Sequence, residues 1–167
     1  MSSSDLCRRC GLCCDGNLFS HVPLEHAEVD AARRHGLEVV RLTGGAPALR
    51  QCCPALHARQ CSVYGARPEG CRRYGCRLLG ALTRQTVSLE EALAVVERAH
   101  ALLAEVERGL EPEPDRFSSV LERARFASWG GADGSSSSTN AARERAEAFL
   151  DEHFHGGPRR FESFAGG

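Results

Sequence analysis

Four of the nine cysteines stand in one eight-residue run, Cys7-Arg-Arg-Cys10-Gly-Leu-Cys13-Cys14, and the other five fall between Cys52 and Cys76. Adjacent free thiols oxidise and cross-react, whereas thiolates converging on a cation are held apart, so the spacing reads as metal chemistry. Thiolates separated by two residues meet on one ion because a tight turn brings both sulfurs to the same side. Cys7, Cys10 and Cys13 repeat that spacing twice, and Gly11 supplies the positive φ or the free N–H groups that a turn around a metal needs. Neighbouring side chains point apart, so Cys13 and Cys14 need not bind the same ion, which implies two adjacent sites or one polynuclear site. Cys53, Cys61, Cys71 and Cys76 are too far apart in sequence for one compact loop and read as ligands gathered by the fold. Eight thiols suffice for two tetrahedral S₄ sites, with binding free energy that is largely folding free energy.

The ordered set Cys7-Arg-Arg-Cys10-Gly-Leu-Cys13-Cys14, Cys53-Pro-Ala-Leu56, Cys61-Ser-Val-Tyr64, Arg67-Pro68, Cys71-Arg-Arg-Tyr74 and Cys76 resembles the YkgJ-type cysteine-cluster proteins, described as zinc- or iron-chelating. The resemblance spans about Leu6 to Cys76. It implies Cys7, Cys10, Cys13, Cys14, Cys53, Cys61, Cys71 and Cys76 as the chelating set. It implies no reaction, and Cys52 falls outside its pattern.

Zinc is the expected ion, because paired S₄ sites fit eight thiols. The alternative is iron, or an iron–sulfur cluster serving electron transfer or a cluster-dependent oxidoreductase reaction. It draws on the likeness of Cys7, Cys10 and Cys13 to half a ferredoxin loop, although the closing x₃-Cys-Pro is missing. His57 is a lesser ligand candidate. Tyr64 and Tyr74 are expected to pack over the sulfur-rich core. Cys52 is either a buried spare cysteine, the commoner case, or an unligated thiol whose pKa a neighbouring cationic site would lower. No serine–histidine–acid pattern, phosphate loop or carboxylate pair stands out, so catalysis is not expected.

All 21 basic residues are arginine, which excludes Schiff-base lysine chemistry and a P-loop. Residues 1–84 carry 12 arginines against 7 acids, and residues 85–167 carry 9 against 15. Two sites of four thiolates with two divalent ions leave roughly −4 for the arginines to offset, and Arg8, Arg9, Arg72, Arg73 and Arg77 flank the cysteines as donors to sulfur. Nucleic acid is an unlikely partner, since no aromatic-interleaved basic stripe is present. The chain opens without a basic stretch followed by an apolar run, and nothing in it approaches 18 uninterrupted apolar residues. The expectation is a soluble cytoplasmic protein with no membrane partner, whose cysteines bind metal instead of forming disulfides.

The expected fold is mainly α with irregular loops: a metal-organised cysteine-cluster domain (1–84), a helical hairpin (85–129), a flexible linker (130–139), and a terminal helix and tail (140–167) that could meet a protein partner. Pro23 to Gly36 has the marks of a helix, with proline first, acids early, arginines late and glycine last. Val39 to Leu42 reads as a short strand. From Ser88 a long helix is signalled by the Ser88/Glu91 capping box and by Leu89, Leu93, Val96, His100, Leu103, Val106 and Leu110 at three- and four-residue spacing. Asp115 is the expected cap of a second helix carrying Val120, Leu121 and Ala124.

Overall fold

The computed structural model describes residues 3–112, 118–129 and 137–156 of the 167. It is predominantly helical, with seven α-helices and five short strands among those residues: α1 (Ser3–Cys10), β1 (His21–Pro23), α2 (Val29–Arg34), β2 (Val39–Arg41), β3 (Pro47–Arg50), β4 (Leu56–His57), β5 (Gln60–Cys61), α3 (Glu69–Arg73), α4 (Arg77–Thr83), α5 (Leu89–Arg108), α6 (Val120–Trp129) and α7 (Ser137–His153).

The long helix α5 organises the rest. Ser88 Oγ accepts the Glu91 amide at 3.1 Å while the Ser88 amide donates to Glu91 Oε2 at 2.7 Å, so the capping box forms as the sequence predicts. Its buried face is Ala92, Val96, Ala99, Leu102, Leu103 and Val106. Leu89, Leu93 and Leu110 lie at the margin of that face, because α5 packs on several sides and not on a single stripe. Helix α7 runs along it and buries Thr139, Ala142, Ala146 and Leu150 at three- and four-residue spacing. Where the two helix ends cross, a Cβ on Gly109 would stand 2.1 Å from Thr139 Oγ1, which is why the α5 cap has no side chain. Helix α6 completes the bundle. Ser119 Oγ accepts the Glu122 amide at 3.2 Å and so caps it, while the segment with the expected cap Asp115 lies outside the described residues.

Helices α1 and α4 pack on the same core, through Leu6 and Leu78. The end of α7 is fastened there too. The Arg77 amide donates to the Phe154 carbonyl at 3.0 Å, Arg77 Nη1 to the Glu152 carbonyl at 2.8 Å, and His155 Nε2 to the Leu18 carbonyl at 3.1 Å. Residue 137 already belongs to α7, so that helix begins inside the segment read as a linker.

A three-stranded antiparallel sheet, in the order β1-β3-β2, covers a second and smaller core of Val22, Leu24, Ala32, Leu37, Leu49 and Ala55. Val22 pairs with Leu49, and Leu49 with Val39. The helix expected from Pro23 is shorter than its sequence signs suggest. Pro23 ends β1, and the helical segment begins with a 3₁₀ turn at His26–Glu28, capped by Glu25, before α2. Pairing of β1 with β3 takes the first residues of the expected helix, since tertiary hydrogen bonds outweigh a weak local preference.

Candidate metal centre

Helix α1 carries Cys7 and Cys10 three residues apart, hence on one face, together with buried Leu6. The chain then turns at Gly11, whose φ is +72° and whose carbonyl accepts the Cys14 and Asp15 amides at 2.8 and 3.1 Å. A Cβ there would sit 3.0 Å from Arg59 Cα, so both conformation and close approach demand glycine. The turn sends Cys13 toward α1 and α4, and Cys14 toward the loop after β3, where the Cys53 amide donates to the Cys14 carbonyl at 2.7 Å. Cys61 lies on β5 of the small β4–β5 hairpin, Cys71 on α3, and Cys76 caps α4 with Sγ accepting the Leu79 amide at 3.3 Å.

All eight of these cysteines line one cavity of about 210 Å³. Within it their mutual repulsions sort them into two sets. Burial, then the neighbouring Cys76, pushes the Cys7 thiol up to about 11. Cys10 rises to about 12 through burial, with Cys76 and Cys7 adding, and Cys13 is likewise raised through burial, Cys10, Cys76 and the adjacent Cys14. The second set behaves alike. Cys14 is raised by burial and then by Cys53, Cys61 and Cys71, and Cys71 to about 12 by burial, Cys53 and Cys61. Cys7, Cys10, Cys13 and Cys76 thus belong with α1, α4 and the large core, and Cys14, Cys53, Cys61 and Cys71 with the β4–β5 hairpin, α3 and the smaller core, while the vicinal Cys13 and Cys14 adjoin where the two sets meet.

All nine cysteines are free, with no disulfide among them. Among the described residues no three His, Cys, Asp or Glu side chains are close enough to hold an ion as they stand. The donor chemistry nonetheless suits a soft or borderline cation: four thiols on each side and no competing hard ligand. Asp15 Oδ1 is taken by the Asn17 amide at 2.9 Å, and His57 is exposed and lines no part of the cavity.

A family model described as "CxxCxxCC: Putative zinc- or iron-chelating domain" matches residues 6–91, just over half of the 167. The chain belongs to this CxxCxxCC family. The matched span takes in all eight cavity cysteines and ends at Glu91, in the first turn of α5. Most of α5 and all of α6 and α7 lie beyond it. No curated protein and no solved structure matches the chain.

Several expectations about the surroundings change. Cys52 does not have a lowered pKa. Its thiol donates to the Asp15 carbonyl at 2.8 Å and is pushed up to about 11 by burial, Asp15 and Glu122, away from both sets. Arg67, which lines the cavity with Arg59 and Arg72, lowers the thiol pKa of both Cys7 and Cys71. Its guanidinium lies 3.5 Å over the Tyr64 ring and donates from Nε to the Tyr64 carbonyl at 3.0 Å. Arg72 is instead paired with Glu69, and Arg77 with the end of α7. Tyr74 packs edge-on against Phe19 at 4.8 Å and adjoins the first set of thiols, which raise its pKa after burial does. His100 stands on α5. Its Nε2 donates to the Cys10 carbonyl at 2.7 Å, a tie across 90 residues for which the sequence offers no signal.

Proposed function

We propose that the protein chelates two zinc ions, one with Cys7, Cys10, Cys13 and Cys76 and the other with Cys14, Cys53, Cys61 and Cys71. The observation that supports this reading is that eight thiols line one cavity, with Cys10, Cys13 and Cys76 on the large core and Cys53 and Cys71 on the smaller one. When bound, the ion supplies the positive charge that lets four thiolates remain close together without solvent. The chain's part is to release the thiol protons, position the sulfurs from two sides and exclude water with Tyr74, Phe19 and the helical core. Closed S₄ coordination leaves no position for a substrate, so the role is structural or metal-handling and not catalytic. Free thiols at this density suit a reducing compartment such as the cytoplasm. Among the described residues no helix is long and apolar enough to cross a membrane.

Metal analysis and a visible spectrum on protein purified without air test the proposal. About two zinc ions per chain and no visible colour are expected. Iron with acid-labile sulfide and a brown colour would replace the reading with an iron–sulfur protein.

A further inference from the structure

The two sets of thiols are built into different parts of the fold. Cys7 and Cys10 lie on α1 and Cys76 opens α4, and Cys10, Cys13 and Cys76 pack into the large core closed by α5 and α7. Backbone bonds fix this set further, from His100 to the Cys10 carbonyl at 2.7 Å and from the Leu79 amide to Cys76 Sγ at 3.3 Å. The other four stand on short pieces of chain: Cys14 on a turn, Cys53 on a loop, Cys61 on a two-residue strand and Cys71 on a five-residue helix. Cys53 and Cys71 pack only against the six-residue core beneath the sheet.

We infer that the two sets differ in function: Cys7, Cys10, Cys13 and Cys76 hold an ion that is part of the core, whereas Cys14, Cys53, Cys61 and Cys71 hold an exchangeable divalent ion. The inference rests on the chelation reading above. Freeing an ion from the first set requires α1 or α4 to leave the main core. Freeing one from the second requires the β4–β5 hairpin or α3 to move against the smaller core, and local opening costs least where the fewest buried contacts are broken. The hairpin is tied to the rest by Arg59, which lies against Gly11 and pairs with Glu97 on α5 at 2.8 Å in an exposed ion pair of small worth, and five-residue α3 rests on β1 through Gly70. The exchangeable ion thus sits on the side of the cavity that opens without unfolding the molecule.

Release of zinc from the full chain, loaded with two equivalents, into a chromophoric chelator tests this. Two phases of one ion each are expected, one about tenfold or more faster than the other. Cys61→Ser removes the fast phase and leaves one slowly released ion, the helical circular dichroism and the melting temperature near those of the parent. Gly70→Ala, which displaces Cys71 without deleting a ligand, speeds the fast phase alone. Release of both ions at one rate, or loss of both from Cys61→Ser, would overturn the inference and leave the chelation reading standing. Failure of the parent chain to bind zinc at all would overturn both.

Discussion

Arg67 illustrates how much one side chain does at this centre. Stacked on Tyr64, it lowers the thiol pKa of Cys7 in one set and Cys71 in the other, so its charge offsets thiolate formation on both sides of the cavity. Arg67→Met is expected to weaken zinc retention in both sets by about tenfold, with Arg67→Lys recovering only part because the stacked plane is lost; competition against a chelator of known affinity measures this. The thiols themselves set a pH dependence. With folded pKa values of about 11 for Cys7 and about 12 for Cys10 and Cys71, against an ordinary 9.0, the metal-free fold keeps protons that the unfolded chain gives up. Their contribution is therefore complete below about pH 9 and is lost as pH rises through the folded values. The zinc-loaded protein shows the opposite trend, losing stability on acidification as protons compete for sulfur. Urea midpoints with and without zinc should coincide at low pH, where protons displace the metal, and separate as pH rises, the metal-free curve falling above about pH 9; parallel curves would refute this.

At the scale of elements, the centre depends on turns more than on regular structure. The Gly11 turn sends Cys13 and Cys14 to opposite sets, and it does so at φ +72° with Arg59 pressed against it. Gly11→Ala is expected to cost about 1–2 kcal/mol from the left-handed backbone alone, read as a lowered denaturation midpoint, with faster zinc release as a second consequence. The helices locate these turns from outside. His100 on α5 holds the Cys10 carbonyl, and Asn17 Oδ1 accepts the Leu121 amide at 3.2 Å, joining the cysteine loop to the start of α6. The capping box of α5 was legible because it is local: two residues three apart satisfy each other. The extent of α2 was not, because β1 pairs with β3, a partner 25 or more residues away.

At the scale of the molecule, Cys10, Cys13 and Cys76 share one core with the helical bundle. Leu150 and Phe154 near the end of the chain are buried with Leu6, Leu12 and Leu78. Leu150→Ala is expected to cost about 2–5 kcal/mol and to lower zinc content in protein purified from cells, although it lies 74 residues beyond the last cysteine; thermal unfolding and metal analysis on the same preparation check both effects. The sequence by itself determined the family and the class of fold: the ordered cysteines from Cys7 to Cys76 carry the match to the CxxCxxCC family, and the period of α5 specifies helix, because residue order and local spacing are written in the chain. The resemblance to a chelating family rested on the same residues. Only the tertiary structure decided which thiols pack on which core, that Cys52 stands outside the cavity, that Arg67 acts on both Cys7 and Cys71, and that α7 packs on the larger core. Those relations join residues far apart in the chain, and they follow from how the elements pack, which no local spacing encodes.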